Sequence, residues 1–206
     1  MVTSMLARRL QLGSRRLRPT GRAAEVSRAD PRPGPSRGAS EAHPRDRLRP
    51  ATRADLEAMG RLGALLMRMH HEFDPRRFVP AMPGVEREYA AFLGGQLEDH
   101  DVVIVVAERE GEVVGYTYAA IEGPDCMSLR GPAGVLHDIV VDPVHRGGGF
   151  GRMLLDAALA AVRARGAPRV VLSAAARNDA AKRLFTEAGF RPTMIEMTRE
   201  LNNGGA

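Results

Sequence analysis

The chain has 206 residues, with a single cysteine, no tryptophan and only 4% aromatic side chains. That length suits one ordinary domain and not comfortably two. The formal charge of +5 is unevenly placed: residues 1–50 carry 12 Arg and no Lys against Glu25, Asp30, Glu41 and Asp46, a net +8, whereas the other 156 residues carry 18 basic and 21 acidic side chains, a net −3. The basic character therefore belongs to a tail, and the mildly acidic remainder argues against a folded nucleic-acid grip, which needs clustered Lys and Arg. The longest stretches without Asp, Glu, Lys or Arg, Tyr89–Leu97 and Val113–Ile121, have nine residues, against the roughly twenty apolar ones of a spanning helix. Cys126 alone cannot form an internal disulfide, which suits a reducing, cytoplasmic compartment, and it disfavours thiolate metal sites.

Residues 1–46 are rich in Arg and Pro and lack aromatics, so they cannot bury enough apolar surface to offset the entropy of ordering and are expected to be disordered. Three roles stay open for them: a solvated tail or over-extended start, an organelle transit peptide in the Arg-rich, acid-free first 24 residues, or an arm contacting nucleic-acid phosphates. A foldable stretch over 47–201 follows, with a flexible end at 202–206. Residues 47–52 predict a first strand. Asp55 opens an amphipathic helix with apolar residues at Leu56, Met59, Leu62, Leu66 and Met69, three or four apart. Residues 85–97 predict a second helix, and the β-branched run 102–107 a buried strand. Glu110-Gly111-Glu112 turns that strand into an antiparallel neighbour over 113–121. A strand over 134–141, a helix over 150–165 closed by Gly166, a strand over 170–174 and a helix over 178–188 closed by Gly189 come next. The alternation of Met194, Glu196 and Thr198 against Ile195, Met197 and Arg199 predicts a last strand over 193–199. The order β-α-α-β-β-β-α-β-α-β is that of a mixed α/β sandwich rather than a doubly wound parallel sheet.

Between the strand over 134–141 and the following helix lies Asp142-Pro143-Val144-His145-Arg146-Gly147-Gly148-Gly149-Phe150-Gly151-Arg152. Glycines there expose backbone N–H groups at the positive end of a helix dipole, a setting for phosphate or pyrophosphate. The bland alternative is a tight turn. A P-loop needs Lys-Ser/Thr after its last glycine, and Arg152-Met153 stands there instead; a dinucleotide fingerprint begun at Gly147 ends on Arg152.

What fits is Arg-x-x-Gly-x-Gly over 146–151. Further on, Asn178-Asp179-Ala180-Ala181-Lys182-Arg183-Leu184-Phe185-Thr186-Glu187-Ala188-Gly189-Phe190 has the spacing Asn-x-x-Ala-x-x-x-Tyr-x-x-x-Gly-Phe, with Phe in place of Tyr. With both motifs in this order, residues 47–201 resemble the GCN5-related N-acetyltransferase (GNAT) family. The resemblance implies a mostly antiparallel central sheet flanked by helices, with splayed strands binding acetyl-CoA as co-substrate and no metal. It implies an acyltransferase that moves the acetyl group to a primary amine by direct attack; a non-catalytic acyl-CoA sensor is the alternative. The pantetheine arm would run along Ile139, Val140 and Val141, and the pyrophosphate would sit on the backbone of Gly147, Gly148, Gly149, Phe150, Gly151 and Arg152, in a cofactor-binding loop that Arg146 shapes. Asn178 would touch the cofactor arm or simply cap its helix. Phe185 takes the place of a tyrosine that protonates the departing thiolate in many relatives, which leaves Tyr116, Tyr118 or Cys126 as substitutes.

Proton removal from the amine calls for a base, and His137 is the candidate, with a satisfied core histidine as the alternative. Strand alternation predicts His137 on the face of Val141 and Asp138 on the opposite one, in a structural role. His70, His71, Glu72 and Asp74 lack His-Glu-x-x-His spacing and read as substrate-side or surface groups. Glu86, Glu88, Asp99 and Asp101 favour a cationic acceptor, a small molecule or a peptide amine. A homodimer is the form that relatives often take.

Overall fold

The computed structural model describes residues 46–201; the expectations for the N-terminal tail and for the last five residues lie outside them. Five strands form one sheet in the order β1 (Asp46–Pro50), β2 (Val102–Arg109), β3 (Glu112–Glu122), β4 (Ala133–Val141) and β5 (Val170–Leu172). The first three pairings are antiparallel and β4–β5 is parallel. β2 returns as β3 through Glu110 and Gly111, both at positive φ (53° and 90°), the backbone of a two-residue hairpin whose twist matches its strands.

Helices α1 (Leu56–Phe73) and α2 (Val85–Gln96) cover one face, and α3 (Phe150–Ala164) and α4 (Asp179–Glu187) the other. Met59, Leu62, Tyr89 and Leu93 of the first pair pack on Ile104, Val106, Tyr116, Tyr118 and Val140. On the opposite face Leu155, Ala158, Val162 and Phe185 pack on Val103, Ala119 and Leu136. α1 lies very close to α2: a Cβ on Gly63 would stand 2.3 Å from the Tyr89 ring, and one on Gly60 2.3 Å from the Glu86 carbonyl oxygen. Glycine at both places is what lets the two helices touch.

The main departure from the sequence expectation is the last strand. Residues 193–199 belong to no strand, and the whole segment 191–201 is exposed. The alternation is real, but each of its two rows mixes apolar and polar residues, so the pattern supports a strand without naming the edge that receives it. β5 is also shorter than expected, ending at Leu172 instead of residue 174.

Candidate functional site

The β4–β5 ladder runs from Gly134↔Val170 to Leu136↔Leu172 and stops. From His137 onward the β5-facing edge of β4 has no strand beside it among the described residues. Ile139, Val140 and Val141 thus border an open gap on that side, the kind of edge that takes an extended amide-bearing ligand. At the end of that edge Asp142 accepts a hydrogen bond from the Val144 amide (3.0 Å) in the short turn Pro143–His145. Gly147 and Gly149 then adopt left-handed conformations (φ 81° and 84°), and no atom lies within 4 Å of where a Cβ on Gly147 would sit. The loop delivers its backbone to the N-terminus of α3, where Phe150 is buried and Arg109 lies 4.7 Å above its ring. The Phe150 side chain is therefore part of the core, and only its backbone faces the loop. Arg152 is bound to Asp156 one turn along. Arg146 bridges the loop to other elements, with Nε on the Val141 carbonyl (3.2 Å) and Nη2 at 2.9 Å from Met69 Sδ of α1.

A β-bulge re-aims the catalytic candidates. The register passes from Tyr118↔Asp138 to Ala119↔Leu136, so His137 is an extra residue on β4. Alternation alone sends His137 to the face of Val141 and Asp138 to the other. The bulge corrects this: Val141 packs with Phe150 and Leu154 on the α3 side, whereas His137 stacks on Tyr118 (4.9 Å between centroids, 23° between planes) and Asp138 bonds Tyr89 of α2. Both side chains face α1 and α2.

His137 Nε2 lies 3.0 Å from Glu122 Oε1, and Arg130 Nη2 lies 2.7 Å from Glu122 Oε2. These side chains are 26%, 29% and 16% exposed, in the order His137, Glu122, Arg130. The hydrogen bond from His137 is the first cause holding the Glu122 carboxyl below its usual range, and Arg130 adds to it. With the imidazole proton on Nε2 donated to Glu122, Nδ1 is the basic nitrogen. Neither Glu122 nor Arg130 was singled out in the sequence. A signal was present, since Glu122 ends the period-two row Tyr116, Tyr118, Ala120 that faces the helices. Arg130 gave none, because it comes from a loop shaped by the Asp125–Arg130 bridge and by amide bonds to Asp125 Oδ1.

Tyr116 and Tyr118 differ sharply. The Tyr116 hydroxyl, fully buried, donates to Asp138 Oδ2 at 3.0 Å, and Tyr89 donates to the same oxygen at 2.7 Å. Burial raises the Asp138 carboxyl above its usual range, and the two hydroxyls oppose that rise. The Tyr118 hydroxyl, by contrast, is buried without a hydrogen-bond partner, and burial is the first cause raising its pKa. Phe185 lies in the core cluster on the α3 side, edge-on to Phe190 at 5.8 Å. Asn178 caps α4, accepting from the Ala181 amide at 3.1 Å. His70 and His71 bond the backbone carbonyls of Leu66 and Phe78 (2.8 Å each). Glu86 pairs with Arg68, and Asp99 and Asp101 are exposed beyond α2. Among the described residues no group of three His, Cys, Asp or Glu side chains could hold a metal ion, and no helix is long and apolar enough to cross a membrane.

Comparison with known proteins bears on this geometry. A family model described as "Acetyltransferase (GNAT) family" matches residues 66–190, more than half of the chain. The chain belongs to the GNAT acetyltransferase family. Among GNAT relatives, a mycothiol acetyltransferase of Thermobispora bispora is 42% identical over 96 residues, 45% of this chain and 31% of that protein. An uncharacterized N-acetyltransferase of Bacillus subtilis is 32% identical over 102 residues, 48% of this chain and 66% of that protein. The chain thus spans about a third of the length of the mycothiol acetyltransferases it matches. Solved structures agree on the GNAT fold: a Bacillus halodurans protein superposes with a TM-score of 0.65 at 20% identity, covering 75% of this chain and 99% of that one. A predicted acetyltransferase from Clostridium acetobutylicum, solved with acetyl-CoA, does so at 0.59 and 16% identity, covering 76% and 96%.

Proposed function

We propose that residues 47–201 transfer the acetyl group of acetyl-CoA to a primary amine by direct attack. The observation that carries this reading is the convergence at β4. One edge of the strand is open beside a glycine loop at a helix N-terminus, and a bulge on the same strand turns a carboxylate-bound histidine toward the α1–α2 face. The groups present suit acetyl-CoA. The open edge at Ile139, Val140 and Val141 would hold its amide-bearing arm, and backbone N–H groups from Gly147 to Arg152 its pyrophosphate. Arg146 shapes the loop, and the amide of Asn178 would reach the arm while its oxygen caps α4. Bound there, acetyl-CoA supplies an activated thioester carbonyl.

His137 is the base in this reading. An alkylamine with pKa near ~10 is mostly protonated at pH 7, so its proton must leave before attack. Glu122 fixes the imidazole tautomer and offsets the charge that develops on it, and Arg130 holds Glu122. Tyr116 is committed to Asp138, so donation to the departing thiolate falls to Tyr118, whose hydroxyl has no other hydrogen-bond partner among the described residues. A thiolate with pKa near ~8.5 is also a tolerable leaving group unaided. The acceptor is a small-molecule amine, a class favoured by the relatives named mycothiol acetyltransferases, and the lone Cys126 suits a reducing, cytoplasmic setting. Phe185, buried where many relatives use tyrosine, favours one second reading, an acyl-CoA sensor without turnover.

Thiol release from acetyl-CoA, followed with a chromogenic disulfide across a panel of amines, tests the proposal. Amine-dependent release that falls about 10²–10⁴-fold in His137→Ala is the expected result for loss of a general base. Acetyl-CoA binding without release for any amine would instead favour the sensor.

A further inference from the structure

The chain holds nine aromatic residues, six Phe and three Tyr, and they are unevenly shared between the two faces of the sheet. On the α1–α2 side Phe73 and Phe78 both pack on His70, at 6.1 and 4.9 Å between ring centroids. Phe92 of α2 meets Tyr89 and Tyr118 edge-on at 6.4 and 5.9 Å, and Tyr118 carries His137 on its face. Tyr116 is fully buried in the same cluster. Among these rings stands one partly buried carboxyl, that of Asp138.

That carboxyl is only half satisfied. Tyr89 and Tyr116 both donate to Oδ2, at 2.7 and 3.0 Å, and Oδ1 accepts no hydrogen bond from the described residues. Asp138 also forms no ion pair with them; His137 and His70, the positive groups that act on it, do so only through space. The other carboxylates on this side are already paired, Glu122 with His137 and Arg130 and Glu86 with Arg68. A carboxylate drawn out of water without a cation carries a desolvation cost that two hydroxyls repay only in part, and the raised pKa of Asp138 has that origin. The fold therefore leaves one open oxygen and an unmet demand for positive charge. The rings add to that demand, because the negative face of an aromatic ring also favours a cation.

We propose that Asp138 Oδ1 anchors the acceptor, taking one N–H of its ammonium group while the nearby rings flank the alkyl or aryl body, so that the site selects compact cationic amines over neutral or anionic compounds. Tyr89 and Tyr116 position the carboxyl by holding its other oxygen. His137 is the adjacent residue in the bulge and faces the same side, which suits removal of a proton from the nitrogen that Asp138 holds. The proposal rests on the acetyltransferase reading for the identity of the site, but it concerns binding, which needs neither acetyl-CoA nor turnover.

Calorimetry on the full chain at neutral pH, without cofactor, tests it. The probes are phenethylammonium and butylammonium, with 2-phenylethanol and phenylacetate as neutral and anionic counterparts. At least one ammonium probe should bind about tenfold or more tightly than either counterpart, the order expected of a charge-assisted hydrogen bond. Asp138→Asn keeps the size of the side chain and an acceptor for the two tyrosines, and should erase that preference with an unchanged circular dichroism spectrum. A wild-type chain that shows no preference for the ammonium probes overturns the proposal, whether or not the variant folds. So does a preference that persists in folded Asp138→Asn, because another carboxylate, such as Glu122, would then hold the cation. Ammonium binding that depends on Asp138, without thiol release in the amine assay, would support the anchor and count against turnover.

Discussion

Glu122 joins His137 to Arg130 through its two oxygens, at 3.0 and 2.7 Å. A carboxylate so placed does more than fill space, because it selects which imidazole nitrogen is basic and opposes the positive charge of the protonated ring. Glu122→Gln keeps the shape and one acceptor but removes the charge. A charge-assisted hydrogen bond is worth about 1.5–3 kcal/mol, so kcat/KM should fall roughly tenfold or more. Binding of acetyl-CoA, read by calorimetry, should be unchanged. A purely structural Glu122 would lower thermal stability and leave the shape of the pH–rate profile as it was. The pair Tyr116–Asp138 shows the complementary case. Tyr116 carries chemistry in its side chain, but its hydroxyl is spent on a buried carboxylate. Residue type nominates a catalytic group, and its hydrogen-bond partner decides whether it is free to act.

At the scale of elements, the contact between α1 and α2 is the most exacting. Gly63 lies against the Tyr89 ring, and Tyr89 in turn donates to Asp138 on β4. A methyl group on Gly63 would push the ring from its place and loosen its bond to a buried carboxyl. Gly63→Ala should therefore destabilise the protein by about 1–3 kcal/mol, the usual cost of overpacking, despite the better helix propensity of alanine. Chemical denaturation would measure the change. A gain in stability would mean that the helices are free to separate. The bulge at His137 is the other decisive local feature. Nothing in the run Leu136-His137-Asp138 announces it, since two polar residues in a row fit a strand end as well as a bulge. Only the register against Tyr118 and Ala119 reveals it.

Across the whole molecule, Arg49 ties the first strand to the rest. It bonds both oxygens of Asp55 at 2.7 Å and Glu108 of β2 at 2.7 Å, while the Thr52 amide and hydroxyl also donate to Asp55. The bond from Arg49 is the main cause that lowers the Asp55 carboxyl to about 2. A carboxyl depressed in the fold contributes stability that is complete above its unfolded value, near ~4, and lost as pH falls through the folded one. Acid unfolding should therefore include a component of roughly 2 kcal/mol between about pH 4 and pH 2. Thermal melts of Asp55→Asn should lack that component and begin from a lower Tm at neutral pH. Equal pH slopes for the two proteins would contradict the assignment.

What the sequence determined by itself is what short-range physics encodes. Apolar spacings of two and of three or four marked the strands and helices, Glu110-Gly111 marked the hairpin, and Arg146–Gly151 with Asn178–Phe190 marked the family. Each of these is a pattern within some twenty residues, where backbone preference and side-chain periodicity act directly. Tertiary structure alone decided the rest. Glu122, Arg130 and His137 meet because a loop returns β3 upon β4, and Tyr89 reaches Asp138 across two elements. His137 faces the helices because of one extra residue in a ladder. Residues 193–199 alternate as a strand does, but no strand lies beside them among the described residues. Register, bulge and edge depend on the partner strand, and a strand's own sequence does not contain its partner.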